Sequence, residues 1–76
     1  MRLDVALHAL RLFKSRSQAQ DAIAAGQVLL NGAPVKPSHA LAVGDRLTLS
    51  GRTVEVVELP GRSVSKEAAR ALVREV

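Results

Sequence analysis

Apolar residues near the start of the chain recur at helical spacing: Leu3, Leu7 and Leu10 fall on one side, and Ala6, Ala9 and Phe13 widen it. This predicts a short amphipathic helix over residues 2–13. Ser15 and Ser17 each stand three residues before a glutamine, Gln18 and Gln20, which is the capping-box spacing of a new helix start. A second helix is therefore expected through residues 18–25, ended by Gly26, which can take the left-handed conformation that closes helices.

The period then shortens to 2. Residues 27–30 and 33–35 read as two strands about Asn31-Gly32, the dipeptide that favours a two-residue hairpin turn. Residues 36–39 form a loop in which Pro37 keeps the second arm from continuing as an inner strand. Gly44-Asp45 marks a turn before residues 46–50, and Gly51 separates these from residues 52–59. Both segments alternate apolar and polar positions, which predicts an antiparallel pair with one wet face. Beyond Pro60-Gly61 the pattern is helical again: Ser65 is a cap, strong helix formers follow, and Ala69, Leu72, Val73 and Val76 make a thin apolar face running to the end. The fold class is α+β, with two N-terminal helices packed on a small antiparallel sheet and a C-terminal helix. The expected organisation is a domain over residues 1–59 and a short helical tail over residues 60–76.

With 76 residues, 47% of them hydrophobic and 24% charged, the chain fits one globular domain with one thin core. The absence of cysteine excludes a disulfide and a thiolate metal site. His8 and His39 have no further ligand at zinc spacing, so no metal and no cofactor is expected. No apolar run approaches the roughly 20 residues of a membrane span, and Arg2 and Asp4 interrupt any apolar signal core. The expectation is a cytoplasmic protein that engages no membrane. Asp4, Asp21, Asp45, Glu55, Glu58, Glu67 and Glu75 are scattered without a histidine beside them, and no nucleophile motif is present. Neither an enzyme nor a small-molecule substrate is expected.

Eleven Lys and Arg against seven Asp and Glu give +4. Most of these cations are Arg, whose planar fork suits phosphate. Arg11, Lys14 and Arg16 gather at the end of the first helix and across the turn, where the start of the second helix adds backbone N–H groups and a positive dipole end. Gln20 lies one turn after Arg16, placed to read a base edge or a ribose hydroxyl. Lys36, Ser38 and His39 belong to the loop after the hairpin, which can fold back beside the second helix. Solvated helix-end charges would give the same pattern, and that remains the competing account of the cluster. Arg46, Arg52, Arg62, Lys66, Arg70 and Arg74 are spread out and read as solubility charges. His8 reads as a half-buried helix residue, and Phe13 reads as core, which leaves no stacking platform for single strands.

Arg2-Leu3-Asp4, Arg11-Leu12-Phe13-Lys14-Ser15-Arg16-Ser17-Gln18-Ala19, Gly26-Gln27-Val28, Asn31-Gly32, Val35-Lys36-Pro37-Ser38 and Val43-Gly44-Asp45, at these intervals, resemble the S-four RNA-binding domain, also called the alpha-L motif. The resemblance covers residues 1 to about 50. Within that family, the Phe-Lys-Ser-Arg-Ser and Val-Lys-Pro-Ser wording is similar to the ribosome-associated heat shock protein fifteen group, except that Val5 and His8 stand near positions where those relatives carry tryptophan. The resemblance implies two helices on a small sheet, with RNA held by the helix pair and the loop after the hairpin. Carried over position by position, it implies RNA contacts at Arg2, Arg11, Lys14, Ser15, Arg16, Ser17, Gln20, Lys36 and Ser38.

The function expected is non-catalytic binding of structured RNA, ribosomal RNA above all, with the large ribosomal subunit as its target and the chain acting as a monomer. Two alternatives stand beside it. One is a protein-interaction module whose arginines form a polar rim. The other is a detached RNA-targeting domain working with an RNA-modifying enzyme.

Overall fold

The computed structural model describes residues 1–61 and 65–76; Arg62, one of the cations read as a solubility charge, lies outside them. Among the described residues eight elements follow one another: α1 (Leu3–Ala9), α2 (Arg16–Ala24), β1 (Val28–Leu30), β2 (Ala33–Pro34), β3 (Arg46–Leu49), β4 (Arg52–Val56), α3 (Lys66–Ala71) and β5 (Val73–Glu75). The strands form one antiparallel sheet in the order β2-β1-β3-β4-β5. Its register sets Val28 opposite Leu49, Leu30 opposite Leu47 and Leu47 opposite Val54, so the apolar side chains of three strands share one face. Leu3, Leu7, Leu10 and Ile23 of the helix pair join them in a single buried cluster, and Phe13 packs against its edge, as its spacing predicts.

The first helix is shorter than the pattern predicts. It stops at Ala9 because Arg11 takes a left-handed φ of 62°, letting the Arg11 N–H donate to the His8 carbonyl (3.0 Å) and the Leu12 N–H donate to the Leu7 carbonyl (3.1 Å). These are the two bonds of a Schellman cap, here built on an arginine. The second helix ends the same way on Gly26, with Gly26 N–H to Ile23 and Gln27 N–H to Ala22. At its start Ser15 is the cap, accepting from the Gln18 N–H at 3.1 Å, so α2 begins at Arg16 and Ser17 lies inside it rather than capping it.

Asn31 and Gly32 both have positive φ, as the favoured hairpin turn requires. Asn31 also reaches sideways: its amide oxygen accepts from the Arg46 N–H (2.9 Å) and its amide nitrogen donates to Asp45 (3.1 Å). Asp45 in turn accepts from the Ala42 N–H at 2.9 Å. The hairpin turn and the turn before β3 are thereby tied together.

The tail departs from expectation after Ala71. Instead of continuing as helix to Val76, the chain turns back and residues 73–75 pair with β4, Val56 opposite Val73 and Glu55 opposite Arg74. In α3 only Ala69 is buried, too little to hold a longer helix, whereas β4 offers an unpaired edge of N–H and C=O groups. Ser65 does cap α3, accepting from the Ala68 N–H at 3.1 Å.

Candidate nucleic-acid interface

The site grows from one buried carboxylate. Asp4 shares the inward side of α1 with Leu3 and Leu7, and its side chain is 0% exposed. A carboxylate there must find partners, because an unpaired buried charge is strongly unfavourable. It finds them from three parts of the chain. Arg2, just before α1, donates through Nε and Nη2 to the two carboxylate oxygens, both at 3.1 Å. Arg16, the first residue of α2, donates through Nε at 3.2 Å, and Gln20 donates through Nε2 at 2.8 Å. The Val5 N–H adds a bond of 2.8 Å. Burial pushes the Asp4 carboxyl up, but the hydrogen bonds from Gln20, Arg2, Arg16 and Val5 outweigh it and hold the group well below the usual carboxylate range.

Both arginines remain about half exposed, at 48% and 49%. Each therefore keeps one edge on Asp4 and turns another to solvent, where a phosphate can be met by a guanidinium already fixed in place. Two cations against one carboxylate leave the cluster positive.

The loop after the hairpin completes this side. Leu3 N–H donates to the His39 carbonyl (2.8 Å), Asp4 N–H to the Pro37 carbonyl (3.1 Å) and Leu41 N–H to the Met1 carbonyl (2.8 Å). The loop thus lies against the start of α1 beside Arg2, and it satisfies N–H groups that a helix start otherwise leaves open. Lys36 and Ser38 are exposed on it. Arg11 and Lys14 form a second group in the turn between α1 and α2. They line a shallow depression with His8, Leu12 and Phe13, and His8 is exposed there instead of half-buried.

Of the nine expected contacts, then, Arg2, Arg16 and Gln20 converge on Asp4, Lys36 and Ser38 lie on the loop bonded to the start of α1, Ser15 and Ser17 open α2, and Arg11 and Lys14 lie in the turn between the helices. The residue that the sequence reading leaves without a role is Asp4. Its signal is an acid inside an apolar helical stripe, where a carboxylate is stable only when paired.

The first 47 residues match the family model for the S4 domain, and the chain belongs to this family. The RQC P-site tRNA stabilizing factor of Bacillus subtilis (strain 168) is 38% identical over 73 residues, spanning 91% of this chain and 85% of that protein. The solved trimeric structure of Vibrio cholerae heat shock protein 15 is similar throughout, with a TM-score of 0.94 at 31% identity, covering 100% of this chain and 81% of that one. No helix among the described residues is long and apolar enough to cross a membrane.

Proposed function

We propose that this chain is a non-catalytic RNA-binding module that grips structured ribosomal RNA on the large subunit through the Arg2, Arg16 and Gln20 cluster, with Arg11, Lys14, Ser15, Ser17, Lys36 and Ser38 around it. The observation that carries the reading is the buried Asp4 holding two half-exposed arginines in fixed positions. A pair of solubility charges needs no such anchor. Membership of the S4 family supports the reading, as does the relative named as a P-site tRNA stabilizing factor. Because A-form RNA hides its major groove, a small convex surface of this kind reads backbone geometry and 2′-hydroxyls more than sequence.

The test is sedimentation with ribosomal subunits at low and high salt, together with a salt titration of the affinity. Neutralising about five phosphates gives a slope of log K against log salt of roughly −3.5 to −4.5. Co-migration of a monomer with the large subunit, released by salt and lost in Arg16→Ala, is the expected result. A free small protein that enriches no RNA overturns the reading.

A further inference from the structure

A second cationic surface lies where the sequence shows only scattered charges. Between the turn that ends α1 and the helix α3 runs a shallow groove over the β4–β5 end of the sheet. Its floor is apolar, made by Leu10, Leu12, Val54 and Val73, and its rim carries Arg11, Arg52, Lys66 and Arg70. Arg52 belongs to the rim through strand parity: it stands two residues before the buried Val54, on the core side of β4. Glu75 also lines the groove, paired with Arg52 at 3.0 Å, so the rim keeps an excess of positive charge. Lys66 and Arg70 are one helical turn apart, and both are exposed.

This groove is continuous with the surface already described. The depression that holds Lys14 shares Arg11, Leu12 and Lys66 with it, so cations run unbroken from the turn between the first two helices to α3. Folding gathers residues from positions 11, 52, 66 and 70 into one rim.

We infer that this groove is a second phosphodiester-binding site, taking a further strand of the same RNA with its phosphates on the rim and its sugar and base faces over the apolar floor. Charge complementarity and continuity with the Arg11–Lys14 depression argue for that occupant, and the inference rests on the RNA reading above. It makes α3 part of the binding surface instead of a solubilising tail.

The test uses the full chain and deproteinised large-subunit ribosomal RNA as probe. Lys66→Gln with Arg70→Gln removes two charges while keeping good helix formers. The expected result is several-fold weaker binding at low salt, a slope shallower by roughly 1.4–1.8, and an unchanged melting curve. Lys66→Glu serves as a second variant, since an acid at the first residue of a helix suits its dipole and leaves α3 intact; it weakens binding more than Lys66→Gln. Wild-type affinity and slope in these variants, with binding lost in Lys14→Gln with Arg16→Gln, overturn the groove and leave the Asp4 surface standing. Binding unchanged in both sets overturns the groove and the Asp4 reading together.

Discussion

A single side chain, Asp4, links the core to the binding surface. Its carboxylate is buried with Leu3 and Leu7 yet fixes Arg2, Arg16 and Gln20, so packing and surface chemistry are set by the same atoms. Asp4→Ala leaves the Gln20 amide and the Val5 N–H without this acceptor, and is expected to lower the unfolding free energy at neutral pH by roughly 1–3 kcal/mol, read from denaturant melts. The pH dependence has a definite sign. The folded carboxyl titrates below its unfolded value of about 3.9, so in acid the unfolded chain takes up the proton first. The stabilisation is complete above that value and is lost as the pH falls through it toward the folded one. The stability gap between wild type and Asp4→Ala therefore narrows as the pH drops from about 5 to about 3; a gap that stays constant over this window refutes the role given to the carboxylate.

At the scale of elements, helix ends and turns decide where charges point. Asn31-Gly32 and the Ser15 cap are legible in sequence because those residue types carry the local conformation themselves. The end of α1 is not legible, because Arg11 occupies a left-handed position that glycine ordinarily marks. For a non-glycine residue this conformation is unfavourable by about 1–2 kcal/mol, offset in comparison with glycine by the lower entropy of its unfolded state. Arg11→Gly is accordingly expected to change stability by no more than about 1 kcal/mol while weakening RNA binding and flattening its salt dependence. Thermal melts and a salt titration separate the two effects. Full RNA affinity in this variant removes Arg11 from the interface.

For the whole molecule, the buried cluster among the described residues runs from Leu3 to Val56, within residues 1–59. The tail adds an edge strand, the buried Ala69 and the half-buried Leu72 and Val73. A chain ending at Leu59 is expected to fold cooperatively but to lose about 2 kcal/mol, on the order of 10 °C in melting temperature, from lost apolar burial and an open β4 edge. A fragment with no cooperative transition makes the tail part of the domain. The sequence by itself determined the two-helix start, the hairpin at Asn31, the antiparallel strands and the basic turn, because periodicity, caps and turn residues act over a few neighbouring positions. The tertiary structure alone decided that Asp4 gathers Arg2, Arg16 and Gln20, that the 36–39 loop lies against α1, and that the last residues leave the helix for the sheet. Each of those depends on a partner distant in sequence: a buried charge needs donors, a helix start needs acceptors, and an unpaired strand edge needs a neighbour.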